Sequence, residues 1–235
     1  MRVLFIAGYQ HPIYHRKLEL LADVSDVEIL HVTVERFGKA SGVYSSANGQ
    51  RRYRVRTFRP QWLGAHRDPH RSFLWTLDFG MREFKPDIVQ AESDLEVLGT
   101  AQVTLAHRVF ASRSKLIHYS WQNILRPRNR LVRWITNESV QSADHIICAS
   151  SQAGEVLRAQ GYRRTTTVMP LVGLDTRYFK PSPKPRQPGF VVGYVGRLVR
   201  EKGLDTLLQA VARTAALLLI VGDGPEKQNL RVLAQ

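Results

Sequence analysis

The segment from Val191 to Val211 constrains this chain more than any other. Its sequence, VVGYVGRLVREKGLDTLLQAV, predicts a buried strand, a glycine turn with Arg197, and a helix that opens at Lys202 and Gly203. Apolar side chains at i, i+3, i+4 and i+7 give this helix one apolar face: Leu204, Leu207, Leu208 and Val211. Two cations beside the unpaired N–H groups of a helix start favour an anion, so we predict a diphosphate site here.

A second strand–glycine–helix unit follows at once. The apolar run Leu217–Val221 leads into the turn Gly222–Pro225, and proline suits the first turn of a helix. Two such units make up only part of a nucleotide-binding α/β domain, which needs roughly 100–150 residues. We therefore expect a truncated second domain, with exposed apolar surface near Val195 and Leu219 and poor solubility.

Strands alternate with helices along the preceding residues, which predicts a parallel sheet covered on both faces. The predicted strands are Arg2–Ala7, Val27–Val34, Tyr53–Arg59, Ile88–Ala91, Lys115–Ser120, His145–Ala149 and Thr165–Pro170. The predicted helices are Arg16–Ala22, Ser72–Phe84, Glu96–Ser112, Arg130–Gln141 and Ser151–Ala159. The segment Phe37–Gln50, rich in glycine, serine and alanine, predicts a long mobile loop.

Prolines mark the boundary between two domains. Pro181, Pro183, Pro185 and Pro188 exclude a helix or a central strand there, and they predict a stiff connector. We expect a first domain over residues 1–169, a connector over 170–188 and a partial second domain over 189–235.

Composition indicates an ordinary globular protein, with 43% hydrophobic and 23% charged residues. The single cysteine, Cys148, excludes an internal disulfide. The apolar run at the N-terminus is too short for a secretory signal, and no run reaches the roughly 20 apolar residues of a membrane span. We predict a cytoplasmic protein, with peripheral contact at the inner face of the membrane as an open alternative.

The net charge of +14 leaves three interpretations open. Arginines cluster in two places: at 51, 52, 54, 56 and 59, and at 126, 128, 130 and 133. Such clusters are typical of solvated faces, of surfaces that bind anionic bilayers, and of nucleic-acid interfaces. No nucleic-acid-binding motif accompanies them, so we expect no nucleic-acid partner.

Several motifs together resemble family 4 glycosyltransferases of the GT-B fold. They are KPDIVQAES, SADHIICASSQAGEVLRAQG, the connector MPLVGLDTRYFKP, and the pair VGYVGRLVREKGLDTLLQAV and LLIVGDGPEKQNL. The resemblance covers essentially the whole chain. It implies an α/β protein of the GT-B class, with a complete Rossmann-like N-terminal domain and the first two strand–helix units of a second Rossmann-like domain.

The resemblance also implies a reaction. A sugar passes from a nucleotide-sugar donor to a lipid or polysaccharide precursor, with retention of configuration and without a metal or other cofactor. Arg197 and Lys202 correspond to the catalytic cations that neutralise the departing diphosphate. The donor-binding residues that the resemblance implies are Gly196, Arg197, Lys202, Gly222 and Gly224. For the last two glycines, a purely structural role in a tight turn is an equal alternative.

Acceptor-side candidates follow the strands of the first domain, because ligands bind at the carboxyl ends of parallel strands. Glu92 follows the fourth predicted strand, and Gln122 and Asn123 follow the fifth. His118 lies within that fifth strand, near the place where many relatives carry a histidine that assists the reaction. For His118, a core position with its hydrogen bonds satisfied is the leading alternative.

Two other functions stay open at the level of sequence. The first alternative is a non-catalytic truncated remnant of such an enzyme, because the resemblance implies further donor-binding glutamates that this sequence does not contain. The second and weaker alternative is a basic α/β module that binds nucleic acid.

Overall fold

A computed structural model describes residues 1–9, 12–24, 26–34, 53–63, 71–171, 173, 176, 179–181 and 189–234, with the side chains of residues 12 and 13 left out. The chain divides into two compact units, Met1–Asp175 and Thr176–Gln235. The loop predicted over 37–50 and most of the predicted connector lie outside the described residues. The finer domain bounds therefore stay a prediction.

The first unit is built on a parallel sheet. Its strands are β1 (Arg2–Ala7), β2 (Glu28–Val34), β3 (Arg54–Phe58), β6 (Ile88–Glu92), β7 (Lys115–Ser120), β8 (His145–Cys148) and β9 (Thr166–Val168). Their order across the sheet is β3-β2-β1-β6-β7-β8-β9, and each neighbouring pair is parallel. The strand predictions are confirmed to within two residues at each end. The order reverses between β1 and β6, and ligands enter open α/β sheets at such a switch point.

Helices cover both faces of this sheet. They are α1 (Pro12–Ala22), α2 (Met81–Phe84), α3 (Leu98–Phe110), α4 (Arg130–Ser142) and α5 (Ser151–Ala159). Because side chains alternate along a strand, Leu4 of β1 packs in the cluster that contains α2 and α3, whereas Phe5 packs with Leu18 of α1. Side-chain caps fix two helix starts: Asn129 accepts from Val132 N at 2.9 Å, and Ser150 accepts from Ala153 N.

One predicted helix, Ser72–Phe84, is wrong over most of its length. Ser72–Leu74 is a strand, β5, which pairs antiparallel with β4 (Pro60–Trp62). The backbone at Phe79 and Gly80 has φ values of 52° and 84°, which interrupt any helix before α2 begins at Met81. Long-range pairing and this left-handed turn therefore prevent a continuous helix over the segment.

The second unit contains a smaller parallel pair of strands, β10 (Val191–Val195) and β11 (Leu217–Val221). A 3₁₀ turn over Arg200–Lys202 precedes α6 (Leu204–Val211), and α7 (Lys227–Leu233) follows β11. Leu198, Leu204 and Leu230 form its core on one face of the pair. On the other face Val195 is 82% exposed and Leu219 is 55% exposed, which confirms the predicted apolar surface.

Candidate functional site

The two glycine turns of the second unit pack backbone against backbone. Gly196 N donates to Val221 O at 3.0 Å, and Leu198 N donates to Asp223 O at 2.9 Å. A Cβ on Gly222 would lie 1.9 Å from Gly196 O, and one on Gly224 would lie 2.3 Å from Leu198 O. Glycine is therefore required at both positions by the packing of the turns, whatever contact either residue makes with a donor.

The same packing places Arg197 and Lys202 after β10. Arg197 O accepts a hydrogen bond from the Tyr194 hydroxyl at 2.8 Å, which holds the turn against its own strand. The guanidinium of Arg197 lies 3.0 Å from Glu201 Oε1, in an exposed pair that contributes only about 0–1 kcal/mol. Lys202 is exposed and forms no ion pair within the described part of the chain.

The start of α6 lies beside Lys202. Gly203 adopts the left-handed conformation, with φ at 61°, and no side chain caps the helix. The first N–H groups of an uncapped helix lack intrahelical partners and carry partial positive charge. One cation held by a weak surface pair, one cation with no ion pair in the described part of the chain, and an uncapped helix start can together bind a diphosphate.

In the first unit, a buried cluster lies at the switch point between β1 and β6. Lys17 Nζ, reaching from α1, lies 2.7 Å from both carboxyl oxygens of Glu92. The same ammonium donates to the Tyr9 hydroxyl at 2.8 Å. The Glu92 side chain is 1% exposed and that of Lys17 is 25% exposed. Lys17 Nζ also lies 3.5 Å from Leu171 O, so protein oxygens occupy all the hydrogen-bond donors of the ammonium.

Burial perturbs both charged groups of this cluster. Removal from water raises the pKa of the Glu92 carboxyl to about 8, and it lowers the pKa of the Lys17 ammonium to about 8. Gln90 Nε2 donates a further hydrogen bond of 2.7 Å to Glu92 Oε1. Ionisable groups with strongly shifted pKa values are typical of functional sites. Lys17 was not predicted as a site residue from the sequence.

A second polar cluster involves the predicted Gln122. Its Nε2 donates to Glu96 Oε1 at 2.6 Å, and the other oxygen of Glu96 lies 2.5 Å from the guanidinium of Arg128. Glu96 is buried, whereas Asn123 is exposed. Glu96 and Arg128 were not predicted as site residues, because the segments that carry them are far apart along the chain.

His118 lies in the core of the first unit. Its ring has no exposed surface, and its Nε2 lies 3.3 Å from Thr104 Oγ1. Burial, with a smaller effect of the His107 charge, lowers the pKa of His118 to about 4, so the imidazole is neutral at physiological pH. Among the described residues its buried Nδ1 has no hydrogen-bond partner, so His118 lies in the core although its hydrogen bonds are not all satisfied. A role of His118 in the reaction stays a prediction.

Neither a metal cluster nor a membrane-spanning helix occurs in the described residues. No three histidine, cysteine or acidic side chains there are grouped so that they could hold an ion. No helix there is both long and apolar enough to cross a bilayer. Metal independence and the cytoplasmic location stay predictions.

Comparison with known families decides the relationship. The family model described as Glycosyltransferase Family 4 matches residues 10–176, which is most of the chain. The chain belongs to this family. The family model described as Glycosyl transferases group 1 matches residues 175–235, so this family 4 chain matches both families one after the other.

Known relatives agree with that assignment. A GDP-mannose-dependent alpha-mannosyltransferase of Corynebacterium glutamicum is 28% identical over 166 residues, which is 64% of this chain and 39% of that relative. The structure is similar to the lipopolysaccharide outer core galactosyltransferase WaaB in its apo form, with a TM-score of 0.60, 17% identity and coverage of 100% of this chain. It is also similar to Anabaena HepE in complex with UDP and glucose, with a TM-score of 0.64, 20% identity and coverage of 99%.

These similarities confirm the predicted α/β fold class of the GT-B type. The family 4 chain spans 64% of each of the two solved chains. At such identities the likeness concerns the fold, and the individual site residues rest on the geometry described above.

Proposed function

We propose that this family 4 chain transfers a sugar from a nucleotide-sugar donor to a lipid or polysaccharide precursor, with retention of configuration and without a metal. The observation that carries the proposal is the family match over both units, at residues 10–176 and 175–235. The geometry after β10 supports it, since Arg197, Lys202 and an uncapped helix start lie in one short segment.

In this reaction the second unit would stabilise the departing nucleoside diphosphate. As the bond between the sugar and the diphosphate breaks, negative charge builds on the bridging oxygen and the sugar becomes cation-like. Lys202 and the N–H groups of α6 would stabilise that charge, and Arg197 would exchange Glu201 for a phosphate oxygen. Preorganised donors of this kind each contribute roughly 3–4 kcal/mol to a transition state.

Relatives support uridine or guanosine diphosphate as the leaving group. The Corynebacterium relative is described as GDP-mannose-dependent, and the Anabaena structure holds UDP and glucose. Both ligands contain the same diphosphate, and the cations after β10 would contact that part. The turns of Gly196, Gly222 and Gly224 would let the backbone approach it.

The acceptor would bind at the carboxyl edge of the first sheet. There Lys17 would exchange its hydrogen bond to Tyr9 for one to a ligand oxygen, and Gln122 and Asn123 follow β7. Ammonium and amide groups can hold sugar or lipid-phosphate oxygens by hydrogen bonds. Glu92 would act by positioning Lys17, because its own carboxyl group is buried.

The test is turnover of a donor panel by the 235-residue chain. Release of UDP or GDP from the corresponding nucleotide-sugars is measured with acceptor lipids present. Arg197→Ala and Lys202→Ala should each slow release by roughly 100–1000-fold. The matched control is Arg213→Ala, an exposed arginine beyond α6. Unchanged turnover in both site variants would refute the assigned roles, and nucleotide binding without any turnover would support the non-catalytic alternative.

A further inference from the structure

The surface of α4 and the segment before it exposes large apolar side chains. Ile124 and Leu125 are 56% and 57% exposed, and Leu131 and Trp134 are 64% and 60% exposed. The opposite face of α4 is buried in the first unit through residues such as Ile135 and Val140. The helix is therefore anchored on one side and presents apolar groups to its surroundings on the other.

Three arginines stand among these apolar groups. Arg126, Arg130 and Arg133 are exposed, and no ion pair links them to the described residues. The nearby acidic groups are already paired: Glu96 with Arg128, and Glu138 with Arg108 at 3.0 Å. The positive charge of this surface is therefore uncompensated. We call the three arginines together with Ile124, Leu125, Leu131 and Trp134 the α4 patch.

The described members of the other arginine cluster include two that are paired with acidic side chains. Arg54 forms an ion pair with Glu28, and Arg56 lies 2.6 Å from Glu83. Those charges are neutralised within the first unit. Of the two arginine clusters, as far as the structure describes them, the α4 patch is the one that combines unpaired arginines with exposed aliphatic and indole side chains.

A broad groove adjoins the α4 patch. Its volume is about 1070 Å³, and its walls include Arg126, Arg130, Arg133 and Trp134 on one side and Gln160, at the end of α5, on the other. Guanidinium groups around a concave surface can bind phosphate oxygens with two parallel hydrogen bonds. The space is large enough for a phospholipid headgroup.

We propose that the α4 patch docks the protein on an anionic lipid bilayer. Its arginines would contact lipid phosphates, while Trp134 and the aliphatic side chains would enter the boundary between headgroups and acyl chains. Nucleic acid would form ion pairs with the arginines but would leave the aliphatic side chains exposed, because phosphates offer no apolar partner to Ile124, Leu125 and Leu131. This inference goes beyond sugar transfer, because vesicle binding requires neither donor nor turnover.

The test is binding of the full chain to phosphatidylcholine vesicles with and without about one third phosphatidylglycerol. We expect salt-sensitive binding to the anionic vesicles only. Each arginine near a bilayer surface adds roughly fivefold to affinity, so the triple variant Arg126→Ala, Arg130→Ala, Arg133→Ala should bind on the order of 100-fold more weakly. The tryptophan emission of the chain should shift to the blue with anionic vesicles, and Trp134→Phe should reduce that shift.

A matched control removes the same charge elsewhere. Arg113, Arg163 and Arg213 are exposed and form no ion pair with described residues, so their triple alanine variant should bind like the parent chain. Equal weakening in both triple variants would overturn the proposal, because net charge alone would then explain binding. A salt-sensitive gel shift with DNA or RNA that the patch variant loses, without vesicle binding, would overturn it in favour of a nucleic-acid interface.

Discussion

Two residues at the switch point of the first sheet, Lys17 and Glu92, show how burial changes the pKa of an ionisable side chain. Lys17 and Glu92 satisfy each other at 2.7 Å, yet the carboxyl group has almost no contact with water. A buried pair of this kind is weak evidence for stability, because desolvation opposes the attraction between the charges. Here the pair fixes the position of the Lys17 ammonium between Glu92 and Tyr9.

The first prediction is a minimum in stability near pH 8. The folded pKa of Glu92, about 8, is above its ordinary 4.5, so its contribution to stability is present below 4.5 and is lost as the pH rises through 8. The folded pKa of Lys17, about 8, is below its ordinary 10.5, so its contribution is present above 10.5 and is lost as the pH falls through 8. Urea unfolding from pH 5 to 10 measures the sum.

The control for that prediction is the double variant Lys17→Met, Glu92→Gln. Because it lacks both titrating groups, its free energy of unfolding should not show the minimum. Parallel curves for the parent chain and the double variant would contradict the assigned shifts.

The second prediction concerns the close approach of the glycine turns. Gly222→Ala would place a Cβ 1.9 Å from a carbonyl oxygen, which forces the backbone of the two turns apart. Overpacking of this kind costs about 1–3 kcal/mol. Gly193→Ala is the control, because its Cβ would meet nothing within 4 Å. Denaturant unfolding of both variants distinguishes them, and equal stability would refute the packing argument.

At the scale of elements, β10 and β11 form a sheet with one covered face. Tyr194 and Ile220 pack against the core of the second unit, whereas Val195 and Leu219 point away from it. This alternation is the expected result of a period-two strand. An exposed apolar face of a sheet favours association between molecules.

The third prediction follows from this exposed face. The variant Val195→Lys, Leu219→Lys should reduce self-association of the chain, because it replaces exposed apolar groups with charge. Stability should change by less than about 1 kcal/mol, since neither side chain is in the core. Analytical ultracentrifugation measures the association. Ile220→Lys is the contrasting variant and should unfold the second unit; identical behaviour of both variants would contradict the assignment of faces.

Element prediction from sequence worked where local and long-range preferences agreed. Arg2–Ala7, Lys115–Ser120 and Ser151–Ala159 have the predicted bounds, because strand-forming runs and a serine cap mark them clearly. The segment 72–84 was predicted as a helix, whereas Ser72–Leu74 is a strand that depends on long-range pairing with β4. Gly80 within that segment argues against one continuous helix, because glycine commonly lies at the end of a helix.

For the whole molecule, the order of strands and helices predicted a parallel sheet covered on both faces, and the motifs that resemble family 4 glycosyltransferases predicted the GT-B class. The strand, glycine turn and helix around Arg197 and Lys202 were predictable because they lie next to each other along the chain, and diphosphate binding by this segment stays a prediction. The cluster of Tyr9, Lys17 and Glu92 was only partly predictable, since it depends on how α1 crosses the sheet edge. The pairing of Glu96 with Gln122 and Arg128 depends on similar long-range packing.

The central claim is that Arg197 and Lys202 hold a diphosphate, and calorimetric titration of UDP and GDP into the chain tests it most directly. Arg197→Ala and Lys202→Ala should each weaken binding by roughly 10–100-fold, the effect of losing a charged hydrogen bond. Glu201→Gln should strengthen it by up to about fivefold, because it frees Arg197 from a competing carboxylate. Equal affinity for the parent chain and all three variants would contradict the claim.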